Sequence, residues 1–305
     1  MSFDDETPAP RPRRAALAWI IVLAVALLAS LAGFAFFVVQ YLGARDRLAD
    51  ADATIEQQRQ QIEEQQKAVD QKETFKRTAQ SLMDAAHGFE GLPFAELLPF
   101  DRYRTDIERG WAARWNPAAM DRVIADVQAD VDALHALAAD AQAQASTNAS
   151  GTAAEATIDE LGHGYVTSVY DDTATLCGRA DALGCVISDD PLTVHFDAAA
   201  NAEPYMTDWI RTGVAYHEFA HVLQFLNPEP TDTALAAFGG DLETMADCFA
   251  LTYLDGWSLQ QRVWIDATSY WDLDIGYGLT CDEGQRQVVR DWYDSLALTV
   301  DPIAQ

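Results

Sequence analysis

The stretch AYHEFAHVLQF, residues 215–225, decides how this chain is read. His217 and His221 are four residues apart, so on a helix they project from one face, a turn apart. That spacing lets two imidazole nitrogens reach one tetrahedral zinc ion. Glu218, between them, can turn its carboxylate toward a water on the metal rather than toward the metal itself. The flanking residues predict a helix: Thr207 suits the N-cap, and Asn227-Pro228 stops it. Val214, Phe219, Val222, Leu223 and Phe225 supply apolar faces for burial.

Two histidines do not complete a catalytic zinc site, which needs a third protein ligand and an open position. Downstream, GGDLETMADCFALTYLDGW (residues 239–257) offers one. Asp241 can cap a helix over 242–255, ended by Gly256, on which Glu243 and Asp247 share a face. Glu243 could be the third ligand, and Asp247 could accept a hydrogen bond from the far nitrogen of a ligand histidine, fixing its tautomer. On the plainer alternative both are exposed acids near a helix N-terminus, favoured there by the helix dipole.

HEFAHVLQ (217–224) followed by ETMADCFA (243–250) resembles the gluzincin arrangement of zinc metallopeptidases, in particular a bacterial family of neutral zinc metallopeptidases. That family's first helix reads His-Glu-x-Gly-His-His-Val-Gln and its second Glu-Leu-Gln-Ala-Asp-Cys-Phe-Ala-Gly. Here His217, Glu218, His221 and Gln224 match the first, and Glu243, Ala246, Asp247, Cys248, Phe249 and Ala250 the second. CGRADALGCVISDDPLTVHFD (177–197) is similar to the family's Cys-Gly stretch, second Cys and short strand ending in Asp. The resemblance covers residues 176–256, with departures at Ala220, Val222 and Leu251. It implies a zincin-like core in which His217, His221 and Glu243 bind zinc and Glu218 is the general base of peptide-bond hydrolysis.

Four cysteines allow three pairings. Cys177 and Cys185 are eight residues apart and could close a small loop, leaving Cys248 for Cys281. Spacing and the family likeness together favour Cys177–Cys185 and Cys248–Cys281. The alternating LTVHFD (192–197) predicts a strand. As an edge strand beside the zinc helix it could hold an extended peptide by main-chain hydrogen bonds. His195 on it could stabilise the oxyanion, as could Tyr253, Tyr270 or Tyr277, and the sequence does not choose among them.

Residues 15–44 carry no charge, a run long enough to cross a bilayer, since a span needs about 20 residues. Arg11, Arg13 and Arg14 precede it, so the N-terminus is expected in the cytoplasm and the rest outside, where disulfides persist. The expected plan is a cytoplasmic tail (1–14), a single-pass transmembrane helix (15–42), a helical stalk (45–90), a helical region (91–170) with a helix over 154–170, and a zinc-metallopeptidase-like core (171–305). In fold class the chain is mainly α with a small β element. Leu48, Ile55, Ile62 and Val69 recur every seven residues, half of a coiled-coil seam that could pair two copies through the stalk.

The 305 residues carry a net charge of −28, which argues against a nucleic acid partner, because phosphate binding needs a basic face. A peptide or protein substrate fits the motifs. Two rival readings stay open: a non-catalytic envelope scaffold with a structural zinc closed by a fourth ligand, and a zinc hydrolase of non-peptide envelope material.

Overall fold

The computed structural model describes residues 13–277 and 281–300. The expected cytoplasmic tail, Arg11 included, lies almost wholly outside them. The chain divides after Val69 into two units. The first is the greater part of one helix, α1 (Arg13–His87). It contains a segment long and apolar enough to cross a membrane, with its leucine, isoleucine, valine and phenylalanine side chains exposed. The heptad residues Leu48, Ile55, Ile62 and Val69 are exposed as well.

The second unit begins inside the same helix. Gln71, Phe75, Thr78, Leu82 and Ala86, spaced three and four apart, form a buried stripe. The last turns of the expected stalk are therefore part of a packed core. This stripe meets α2 (Phe100–Ala112) and α3 (Pro117–Ala145) around Tyr103, Ile107, Val127, Val131 and Leu134. Pro117 opens α3 directly after Asn116, whose side chain accepts from the Ala119 amide.

The expected helix over 154–170 is only half present. α4 (Ala153–Leu161) ends where His163 and Gly164 take φ values of 50° and 76°, which a helix cannot accommodate. Gly164 is required twice over, because a Cβ there would stand 2.0 Å from the Ala141 carbonyl oxygen. The chain then extends as β1 (Thr167–Asp171), rich in β-branched and aromatic residues.

After the short α5 (Thr173–Cys177) come β2 (Gly184–Ile187) and β3 (Asp190–Asp197). They form a sheet of order β1-β3-β2, with β3 parallel to β1 and antiparallel to β2. The strand carrying His195 is therefore central, not an edge. β1 and β2 occupy its two sides, and β2 forms an edge that begins at Gly184, next to Glu218.

The remaining elements are α6 (Ala198–Asn201), α7 (Asp208–Leu226), α8 (Pro228–Leu235), α9 (Leu242–Tyr253), a hairpin of β4 (Gln260–Trp264) and β5 (Tyr270–Asp274), and α10 (Glu283–Ser295). α7 is the centre of this half. Phe219, Val222 and Leu223 are fully buried among Val194 and Phe196 of the sheet, Met245 and Phe249 of α9, and Trp292 of α10. The fold is mainly α with a small β part.

Candidate metal centre

Caps at both helix starts place the site. The Thr207 hydroxyl accepts from the Ile210 amide at 3.4 Å, starting α7. Asp241 accepts from the Glu243 and Thr244 amides at 3.0 and 3.3 Å, starting α9. α7 and α9 pack against each other, so the His217/His221 face meets the Glu243/Asp247 face.

Each imidazole is held by its Nδ1. His217 Nδ1 is 2.8 Å from Asp247 Oδ1, and His221 Nδ1 is 2.8 Å from Gln224 Oε1. With a metal bound, donating Nδ1–H to these oxygens would leave each Nε2 its lone pair for the ion. The two Nε2 atoms are 3.1 Å apart, and each lies 3.2 Å from Glu243 Oε2. His217, His221 and Glu243 could hold a metal ion. Two imidazoles and one carboxylate whose ligand atoms converge in this way fit a divalent metal ion.

Without a metal the same carboxylates favour a protonated His217. Burial alone would lower the His217 pKa, but hydrogen bonds to Asp247 and Glu243 outweigh it and lift it to about 10. Burial would raise Glu243, yet the two imidazoles hold it far below the usual carboxylate range. Glu218 goes the other way: burial raises it, more than His217 and His221 lower it. Glu218 Oε2 is buried without a hydrogen-bond partner. An unsatisfied buried carboxylate oxygen beside a donor cluster is costly unless something else there engages it.

Beside the cluster lies a cavity of about 420 Å³ whose lining includes Glu218, His217, Gly184, Arg179, Trp257 and Tyr277. Gly184, at the start of β2, presses against Glu218 so closely that a Cβ would come within 2.8 Å of its Cγ. Tyr277, also on the lining, stacks on the His217 ring at 5.9 Å and 20°. Its backbone amide donates to Asp247 Oδ2 at 2.8 Å. Arg179 Nη1 donates to the Tyr277 hydroxyl at 2.7 Å and lies 3.7 Å from Glu243 Oε1.

Of the sequence-derived residues, the structure brings together His217, Glu218, His221, Glu243 and Asp247, with Tyr277. It does not bring in His195, whose Nδ1 is 2.7 Å from Asp171. His195 lies on the sheet face opposite Val194 and Phe196, beside Cys185 across the β2–β3 ladder. Tyr253 packs on Phe249 and Tyr293, away from the cavity, and Tyr270 packs on Trp264 in the hairpin. The cysteines join as Cys177–Cys185 and Cys248–Cys281. The first closes the loop bearing Arg179, and the second ties α9 to the segment before α10.

Gln224, Arg179 and Gly184 had no assigned role in the sequence. Gln224 sits three residues after His221, a local signal that could have been used. Arg179 and Tyr277 are 98 residues apart, and no spacing links them.

No protein-family model, no curated protein and no solved structure matches this chain.

Proposed function

We propose that this protein is a membrane-anchored zinc metallopeptidase with a zincin-like core, its catalytic unit held outside the cytoplasm by the apolar segment of α1. One observation carries the reading. A two-imidazole, one-carboxylate cluster sits beside a buried, unsatisfied Glu218 carboxylate, and Glu218 and the cluster's His217 line one cavity. Structural zinc sites are closed by a fourth protein ligand. Among the described residues none joins this cluster: His195 faces the other side of the sheet, and all four cysteines are in disulfides. The two disulfides also favour an oxidising compartment.

Zinc, when bound by His217, His221 and Glu243, supplies Lewis acidity that lowers the pKa of a water and polarises a carbonyl. The chain's own residues do the rest. Asp247 and Gln224 orient the two imidazoles through Nδ1. Glu218 takes the proton of the attacking water and returns it to the leaving amine, a task its raised pKa suits. The free edge of β2, which begins at Gly184 against Glu218, gives an extended peptide main-chain partners.

The test is zinc analysis together with hydrolysis of an unfolded protein, on wild type, Glu218→Gln and Glu243→Ala. Wild type should bind one zinc and cut. Glu218→Gln should keep zinc while hydrolysis falls by about 10²–10⁴-fold, the usual contribution of a general base. Glu243→Ala should lose the metal. A zinc-loaded but inactive wild type would make the site structural. Loss of zinc from Glu218→Gln with full retention in Glu243→Ala would reverse the roles assigned to these residues.

A further inference from the structure

We infer that Tyr277 is the hydrogen-bond donor to the carbonyl oxygen as it gains negative charge, and that Arg179 positions its hydroxyl. The inference rests on the peptidase reading and assigns a role which that reading leaves open.

Tyr277 is fixed at three points. Its amide is bonded to Asp247 at 2.8 Å, its ring is stacked on His217, and its hydroxyl accepts from Arg179 at 2.7 Å. The Arg179 guanidinium also lies 4.9 Å from the centre of the Tyr277 ring. A phenol oxygen that accepts from a guanidinium has its own hydrogen left to donate elsewhere. Glu243 Oε1, 3.7 Å from the same Arg179 nitrogen, is one acceptor nearby. A carbonyl oxygen entering the cavity offers a second acceptor within reach of the same rigid group. Arg179 is held in turn. It lies on the short loop closed by the Cys177–Cys185 disulfide, so the donor that orients the phenol is built in rather than recruited.

Position relative to Glu218 completes the argument. Glu218 and the Tyr277–Arg179 pair line the same cavity, as does His217, on which Tyr277 stacks. A peptide bond lying in that cavity meets both a proton acceptor for the water and a hydrogen-bond donor for the carbonyl oxygen. As the water oxygen bonds to the carbonyl carbon, the π electron pair moves onto the carbonyl oxygen and the water proton onto Glu218. Tyr277 O–H donates to that oxygen. Breaking the C–N bond then returns the pair to the carbonyl, and the nitrogen takes the proton from Glu218. Nothing else is consumed.

The test is Tyr277→Phe in the full-length, zinc-loaded protein. This change keeps the ring and the backbone bond and removes one hydroxyl. Zinc stoichiometry and hydroxamate affinity should not change. kcat should fall by about 10²–10³-fold, the usual loss for one oxyanion donor, with KM little altered. By calorimetry, a phosphonamidate peptide, whose tetrahedral phosphorus carries an anionic oxygen, should lose affinity by a similar factor, while the substrate-like peptide should not. Arg179→Gln should give a smaller loss, and the double variant should be no worse than Tyr277→Phe alone, because Arg179 acts through the phenol. Unchanged phosphonamidate affinity in an otherwise active enzyme overturns the inference alone. So does loss of zinc from Tyr277→Phe, which would make the hydroxyl a brace for Glu243. A wild type that neither binds zinc nor cuts overturns the parent reading and this one with it.

Discussion

Gly184→Ala is the most direct perturbation of the site, because its effect can be worked out atom by atom. Gly184 is buried, pairs with Phe196 in the β2–β3 ladder, and has no left-handed backbone, so alanine fits its conformation. Space is the obstacle. A Cβ there stands 2.8 Å from Glu218 Cγ, 2.9 Å from Oε1 and 3.0 Å from Cδ. Non-bonded carbons prefer about 3.5–4.0 Å, so the Glu218 side chain must move by roughly 0.5–1 Å. Overpacking of this kind costs about 1–3 kcal/mol, partly offset by about 0.4–1 kcal/mol from stiffening the unfolded chain. The assay is a double-mutant cycle in urea with Glu218→Ala, which removes all three clashing atoms. Gly184→Ala should destabilise the wild type but be neutral or stabilising when Glu218 is alanine, giving a coupling of about 1–3 kcal/mol. Zinc should stay, since no ligand moves, while hydrolysis should fall by about 10²-fold, as for a 1 Å misplacement of a reacting group. A cycle that closes additively would refute the close approach and the idea that Gly184 sets the Glu218 position.

Three further outcomes follow from other parts of the molecule. In metal-free protein, His217 has its pKa raised to about 10, against about 6.5 unfolded, so its stabilising contribution is full below pH 6.5 and lost as pH rises through 10. Thermal scans after chelation should show melting temperature falling over that window, and His217→Gln should flatten the fall. Replacing Cys248 and Cys281 by serine opens a loop with a separation of 33 and should cost about 4 kcal/mol, whereas opening the separation of 8 at Cys177–Cys185 should cost about 2–3 kcal/mol and leave zinc in place. Both are read by denaturant titration and metal analysis. Protease added to intact spheroplasts should digest the C-terminal unit, and its protection would contradict an extracytoplasmic location.

What the sequence carried well was local. The i, i+4 pairs His217/His221 and Glu243/Asp247, with caps at Thr207 and Asp241, are set within one or two helical turns, and the structure builds α7 and α9 on them. The failures have a common physical cause. β1 was hidden because its neighbours continue a plausible helical pattern, and only the positive φ at His163 and Gly164 turns the chain out of it. β3 reads as a strand from its alternation, but whether a strand is central or an edge depends on a partner about 26 residues away, which alternation cannot report. That the last turns of the stalk helix are packed is hidden for the same reason: Gln71, Phe75, Thr78, Leu82 and Ala86 form a stripe like any other until α2 and α3 cover it. In the site itself, the residues that would bind a metal are close in sequence because helical spacing suffices to aim them. The residues that would act on a substrate oxygen come from other segments, Arg179 from the loop before β2 and Tyr277 from the stretch after β5. A motif can thus announce a metal long before it says what the metal centre acts on.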